Sequence, residues 1–306
     1  MGNLIRFANS VERTFRFYME RIGNTVFLVR KESSPTALIE GVRGYGHTFP
    51  EAYTSWEGDV KDSVSHQRLI KYVFGGLRCL VRSESDGYLK DMAGSGSNPL
   101  PMPFGLLESS TDDGLSSILL AAESIAVSEK VLDKDSDLAV KFAGHEVPQS
   151  AIFDLKTRSA RREIDMEEVY PRLWVSQIMK FIIAYHNSGK FDDIRVQDLG
   201  DSIHDWEKRN RELLHRFNTV LHQLIDFAKQ SECHKIEVRR IATGPLQIRR
   251  LDDDYWSALP PDLKAKWAGR PVSEYYESIE SVLTQKNSES TSSGDEDDGL
   301  DDYLRF

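Results

Sequence analysis

A charged pair inside an apolar segment places the strongest constraint on this sequence. Residues 151–157 read AIFDLKT, and their apolar and β-branched side chains predict a β-strand. Side chains two residues apart project to the same side of a strand, so Asp154 and Lys156 should share one face. A carboxylate that can hold a divalent cation would then lie beside an ammonium group, which suits phosphodiester hydrolysis. The polar face of an edge strand would produce the same pattern.

A second pair of carboxylates follows another predicted strand, residues 77–82. The strand leads into Glu84 and Asp86, which are again two residues apart and should point to the same side. Because Gly87 comes next, ordinary turn chemistry is the alternative explanation for Asp86. His66 opens a predicted helix just upstream and is a candidate metal ligand or a solvated surface residue.

The hydrophobic periodicity along the chain indicates an α/β protein with a long C-terminal helix. Predicted helices cover residues 9–21, 66–74, 115–127, 172–186 and 203–230, and predicted strands cover 25–30, 77–82, 138–142, 151–157, 194–199, 235–241 and 246–251. The last two strands should pair around Thr243-Gly244-Pro245. We expect one domain over residues 1–286, with an acidic insertion at about 90–137, followed by a disordered acidic tail at 287–306.

Charge is distributed unevenly along the 306 residues. The net charge is −10, but residues 287–306 carry seven acids and one base, and residues 90–145 carry nine acids and four bases. The rest of the chain is therefore nearly neutral, and its arginine clusters could contact a polyanion. Two cysteines cannot form a disulfide framework, and the longest apolar stretches are too short to cross a bilayer. We expect a nuclear or cytoplasmic protein without a membrane span.

The order of these motifs resembles the PD-(D/E)XK nuclease superfamily, particularly its RecB-like branch, over roughly residues 63–199. The resemblance implies a mixed sheet flanked by helices and, because the ligands are mainly oxygens, Mg²⁺ or Mn²⁺ as the cofactor. In that family, a lysine is catalytic and a helix glutamine supports it, roles that fall to Lys156 and Gln177. The implied metal ligands are His66, Glu84, Asp86, Asp154 and the carbonyl group of Leu155.

The two carboxylate motifs also resemble the E-x-D and E-x-K pair of the RNA decapping and 5′-end exonuclease family. Here the motifs read Glu84-x-Asp86 and Asp154-x-Lys156, so aspartate replaces glutamate in the second motif. Both resemblances imply metal-dependent hydrolysis of DNA or RNA. Arg158, Arg161 and Arg162 follow Lys156 closely and are candidates for phosphate contacts. A catalytically inactive member of the fold that binds nucleic acid or protein is the alternative.

The whole-chain pattern, including RIGNTVFLVRK and GVRGYGHTFPEAY, resembles fungal proteins that carry a geranylgeranyl pyrophosphate synthetase label. Prenyl diphosphate synthases hold magnesium diphosphate with paired DDxxD motifs on facing helices. The one match in this sequence, at residues 297–301, lies in the acidic tail. The residues therefore favour a nuclease over a prenyl synthase.

Overall fold

The computed structural model describes residues 1–31, 44–58, 60–93, 144–230, 234–252 and 255–269, together with the backbone of Leu304–Arg305. The helices are α1 (Gly2–Ala8), α2 (Thr48–Tyr53), α3 (Lys90–Ala93), α4 (Met166–Ser176), α5 (Gly200–Arg209), α6 (Arg211–Gln230) and α7 (Pro261–Trp267). The strands are β1 (Phe15–Ile22), β2 (Thr25–Arg30), β3 (His66–Phe74), β4 (Leu77–Ser85), β5 (Gly87–Tyr88), β6 (Ile152–Ser159), β7 (Lys180–Asn187), β8 (Lys190–Asp198), β9 (Lys235–Arg240), β10 (Gln247–Arg250) and β11 (Leu304–Arg305).

The chain divides into two compact units. The first consists of Met1–Arg43, Tyr72–Cys79 and Glu207–Phe306, and the second consists of Gly44–Lys71 and Leu80–Trp206. None of the helices within the described ranges is long and apolar enough to span a membrane.

The first unit is built on an antiparallel sheet with the strand order β11-β10-β9-β1-β2. Helices α1 and α6 pack together, and α6 contacts β1 and β2. The face of the sheet beneath them carries Met19, Ile236 and Val238, none of which has any exposed surface. Every third or fourth residue of α6 is apolar, which places Phe217 and Leu221 in the same core.

The other face of this sheet carries polar side chains beneath the segment that includes α7. The carboxylate of Glu20 is buried and accepts hydrogen bonds from the Ala258 N–H at 2.6 Å and the Ser257 hydroxyl at 3.1 Å. It also forms an ion pair with the Lys264 ammonium at 2.5 Å. Three donors therefore compensate the loss of water around this buried charge.

The second unit contains a mixed sheet with the order β5-β6-β7-β8. Strands β6 and β7 are parallel, and the other neighbours are antiparallel. Parallel strands need a crossover connection, and α4 is part of it. Phe49, Phe153, Ile182 and Ala184 form a buried cluster in this unit. The predicted α/β class, a mixed sheet with flanking helices and a long C-terminal helix, is confirmed.

Three predicted helices are wrong. Residues 15–22 form β1 rather than the end of a helix, because this segment pairs with both β2 and β9. Residues 66–74 form β3, which turns at Gly75-Gly76 into β4. The segment 172–186 contains the end of α4 and then β7, whose apolar run from Phe181 to Ala184 is buried between two neighbouring strands.

The other predicted elements within the described residues are confirmed with small shifts in their bounds. The long helix begins at Gly200 and is interrupted at Asn210, and β9 and β10 pair as expected. The predicted helix 115–127, the predicted strand 138–142 and most of the acidic insertion lie outside the described residues. Leu304–Arg305, inside the acidic tail, form β11 beside β10.

Replacing Glu20 with alanine should lower the free energy of unfolding by about 3 kcal/mol, because buried donors including Lys264 lose their acceptor. Urea unfolding followed by circular dichroism measures this loss. Glu12→Ala removes an exposed carboxylate and serves as the control, with an expected change below about 0.5 kcal/mol. Equal stabilities for the two variants would contradict the structural role of Glu20.

Candidate active site

A close approach of two backbones joins the two carboxylate motifs. Gly87 in β5 pairs with Phe153 in β6, and a Cβ atom on Gly87 would lie only 2.6 Å from Cζ of Phe153. Glycine therefore permits the pairing. The pairing brings Asp86 to the main chain of β6, where the N–H of Leu155 donates a hydrogen bond to Asp86 Oδ2 at 2.6 Å.

The neighbouring residue, Asp154, is a buried carboxyl with 6% of its surface exposed. Burial raises its pKa to about 7, and the charge of Asp86 adds to the rise. The charges of Arg172 and Lys156 oppose the rise and hold the pKa of Asp154 lower than burial alone would. These four residues, Asp86, Asp154, Lys156 and Arg172, are here called the Asp154 cluster.

Arg172 is the member of the cluster that sequence reasoning missed. It lies in α4, and its Nη2 donates to Asp154 Oδ1 at 2.5 Å, while about half of its side chain stays exposed. The crossover helix between parallel strands packs against their sheet, so a cation on α4 can reach β6. The packing of a crossover helix against its sheet could therefore have pointed to Arg172. The sequence prediction missed it because the start of this helix was placed incorrectly.

The sequence predicts that Gln177 lies on a helix, but in the structure it does not. It follows the last residue of α4 in the left-handed conformation (φ 52°, ψ 38°), and its side-chain Nε2 donates to the Trp174 carbonyl at 2.5 Å. Its own carbonyl accepts from Gln149 Nε2 at 3.0 Å, and Gln149 in turn accepts from Arg68 in β3. Gln177 therefore closes the end of α4.

The predicted ligands divide into two groups. The structure brings Asp86, Asp154 and the main chain of Leu155 together, although the group on Leu155 that contacts Asp86 is its N–H. His66 opens β3 instead of a helix, and both His66 and Glu84 are exposed. No three His, Cys, Asp or Glu side chains in the described parts of the chain are grouped so that they could hold a metal ion. His66 thus does not join the two aspartates.

The predicted phosphate-binding arginines lie at the far end of β6 and beyond it. Arg158 is in the strand, two residues after Lys156, and its buried Nε has no hydrogen-bond acceptor among the described residues. Arg161 and Arg162 are exposed in the turn that follows, where the Arg162 N–H donates to the Ser159 carbonyl.

The donor set of the Asp154 cluster fits a hard divalent cation. Mg²⁺ is commonly held by one or two carboxylates, with water and substrate phosphate completing its coordination. Asp86 and Asp154 supply two such carboxylates, and a cation held by them would offset the cost of burying the charge of Asp154, which raises its pKa. Arg172 provides part of that compensation.

The family model described as Domain of unknown function (DUF8563) matches residues 2–248. The chain belongs to the DUF8563 family. No curated protein sequence matches it.

Solved structures of Rai1 resemble the fold. Scheffersomyces stipitis Rai1 in complex with (3′-NADP)⁺ and calcium ion gives a TM-score of 0.51 at 9% identity, covering 88% of this chain and 72% of that chain. Candida albicans Rai1 in complex with pU5-Mn²⁺ gives 0.48 at 11% identity, covering 90% and 73%. The S. stipitis match shows a shared fold. These comparisons give the geranylgeranyl pyrophosphate synthetase label no support.

Asp154→Asn should raise the free energy of unfolding at pH 7.5 by about 1–3 kcal/mol in metal-free buffer. The folded pKa lies above the unfolded value, so the stability that protonated Asp154 contributes is complete below about pH 4 and is lost as the pH rises through 7. Asparagine stays neutral at both pH values, and loss of the ion pair with the half-exposed Arg172 costs little stability. Urea unfolding at pH 4 and pH 7.5 measures the difference, which should vanish at pH 4. An equal effect at both values would contradict the raised pKa.

Proposed function

We propose that this DUF8563 protein is a divalent-metal-dependent phosphodiesterase that acts on nucleic acid. The observation that carries the proposal is the Asp154 cluster. The Asp86 carboxylate accepts a hydrogen bond from the main chain next to Asp154. Arg172 contacts the Asp154 carboxyl group, and Lys156 lies near it. A pair of acids with adjacent cations is suited to a phosphodiester, because the acids hold a cation and the basic groups bind phosphate oxygens.

The shared fold supports the same class of substrate. The S. stipitis Rai1 structure with this fold holds a dinucleotide phosphate and a divalent cation. Fold alone does not determine activity, so the proposal depends on the residues of the cluster. The Asp154-x-Lys156 and Glu84-x-Asp86 motifs are those from which the sequence predicts nucleic-acid hydrolysis.

Each residue has a distinct part in the proposed chemistry. Asp86 and Asp154 would hold Mg²⁺ or Mn²⁺, with the Leu155 carbonyl as the further ligand that the family resemblance implies. The cation would supply positive charge to the phosphate group. The Lys156 ammonium would stabilise negative charge that develops in the transition state. Arg158, Arg161 and Arg162 would contact neighbouring phosphates, and Gln177 would keep the end of α4 in place.

Arg172 favours a second candidate, a catalytically inactive module that binds nucleic acid or protein. Its guanidinium already neutralises part of the charge on Asp154, and no three-residue ligand group is present in the described parts of the chain. In that case, the arginines would bind a polyanion without turnover. In the active enzyme, Arg172 would instead contact the phosphate when a cation replaces it at Asp154.

Lys156→Ala should reduce the turnover rate by about 10²-fold or more while nucleic-acid binding is largely retained, because a transition-state contact is lost. Asp154→Ala should also abolish turnover, since it deletes a cation ligand. Cleavage is measured on end-labelled single- and double-stranded DNA and RNA, each with Mg²⁺ or Mn²⁺. The labels distinguish attack at an end from internal attack. Lys190→Ala is the matched control, because Lys190 is an exposed lysine of the same sheet that pairs with Asp192.

Absence of metal-dependent cleavage by the wild-type chain would contradict the proposed enzyme. If nucleic-acid binding then survives Asp154→Ala and Lys156→Ala, the inactive module is the better account. Circular dichroism confirms that each variant is folded before its activity is compared.

A further inference from the structure

A row of polar and aromatic side chains extends from the Asp154 cluster along one face of the mixed sheet. In β6, Asp154, Lys156 and Arg158 are two residues apart and project to the same side. Arg158 is the register partner of Tyr185 in β7, so these two side chains are neighbours on that face. The face on which Arg172 contacts Asp154 therefore continues to Tyr185.

The guanidinium group of Arg195, in β8, is held in a fixed orientation beside this row. Its Cζ lies over the Tyr185 ring, 5.0 Å from the ring centroid, which is the range of a cation–π interaction. The Asp193 carboxylate accepts hydrogen bonds from Arg195 Nε at 3.0 Å and from Nη2 at 2.6 Å, and this double contact fixes the guanidinium plane. Even so, 55% of the Arg195 side chain is exposed. We call Tyr185, Asp193 and Arg195 the Arg195 platform.

The chemistry of the platform suits a planar ring better than a phosphate group. Asp193 offsets the charge of Arg195, so the ion pair adds little to the attraction of a polyanion. A guanidinium plane nevertheless stacks on flat π-systems, and nucleobases stack on arginine planes as they do on aromatic side chains. The platform thus offers an exposed flat surface of the kind that binds a nucleobase.

Arg158 supplies the positive charge that the platform lacks. Its Nε is buried and has no hydrogen-bond acceptor among the described residues, and a bound phosphate would supply that acceptor. Arg158 comes four residues after Asp154, which is about 13 Å along an extended strand. One phosphate group cannot reach both positions, so a phosphate at Arg158 would belong to a neighbouring nucleotide of the same strand.

We propose that the Arg195 platform stacks an unpaired nucleobase of the nucleic acid whose phosphate binds at Arg158. This inference rests on the proposed function, since it takes nucleic acid as the ligand, and it assigns the residues that bind a base. Every nucleobase has a π-face, so the platform selects for an accessible base and not for a particular sequence. A base inside a duplex is already stacked on its neighbours and does not reach the platform.

The test compares two ligands that carry the same phosphates and differ in their bases. One is pentathymidylate, and the other is a pentamer of abasic tetrahydrofuran nucleotides. Calorimetry measures the affinity of each ligand for the full chain in a buffer with EDTA, so that metal-dependent cleavage cannot occur. The wild type should bind pentathymidylate about tenfold more tightly than the abasic pentamer, because only the former has bases to stack.

A double variant, Arg195→Gln with Asp193→Asn, removes the platform without changing the net charge. About half of each side chain is exposed, and circular dichroism checks that the variant is folded. The preference for pentathymidylate should fall to about twofold or less, while the affinity for the abasic pentamer stays within about twofold of the wild type. Lys190→Gln with Asp192→Asn changes another exposed ion pair of β8 and is the matched control, which should keep the full preference.

Arg158→Gln separates the phosphate contact from the base contact. It should weaken the binding of both pentamers by a similar factor and leave the preference for pentathymidylate unchanged, because phosphate contacts are common to both ligands. Weaker binding of pentathymidylate alone would show that Arg158 contacts the base instead, and it would contradict the proposed arrangement.

Three other results would overturn the proposal: no preference in the wild type, a preference that persists in the Arg195 and Asp193 double variant, or no binding of either pentamer. The metal-dependent cleavage assay decides the proposed function separately. Cleavage by a wild type that shows no base preference would leave the phosphodiesterase standing and remove only the platform.

Discussion

The hydrogen bond from the Leu155 N–H to the Asp86 carboxylate joins chain segments that are 69 residues apart, and the candidate site depends on it. Gly87 favours it, because a Cβ atom at this position would lie only 2.6 Å from Cζ of Phe153 and the ring would have to shift. The bond brings a second carboxylate beside the buried Asp154. The negative charge of the site follows from that arrangement.

Two buried carboxylates in this protein illustrate opposite uses of a charge. Glu20 is surrounded by donors from Ser257, Ala258 and Lys264, so its burial ties a loop and a helix to a sheet. Asp154 pairs with Arg172 and has a like-charged neighbour in Asp86, and burial raises its pKa to about 7. An arrangement that costs stability and creates a need for positive charge is typical of a functional site.

The strand that carries Asp154 and Lys156 was predictable because alternation inside an apolar run is a local property. The prediction of a helix at residues 9–21 was wrong because the spacing of Phe15, Tyr18 and Met19 fits a helix as well as a strand. Pairing with β2 and β9 decides in favour of the strand. Arg172 was not predictable as a site residue, because its contact with Asp154 depends on where the crossover helix packs. The left-handed conformation of Gln177 ends α4 without the glycine that usually signals such an end.

The proposed function requires Asp86 and Asp154 to bind a divalent cation together. Titration of the full chain with Mn²⁺, with free Mn²⁺ quantified by electron paramagnetic resonance, measures this directly. We expect one bound ion, with an affinity that falls about tenfold or more in Asp86→Asn, while Glu163→Gln, which changes an exposed carboxylate, leaves the affinity unaltered. Equal Mn²⁺ affinities for the wild type and Asp86→Asn, or no binding by the wild type, would contradict it.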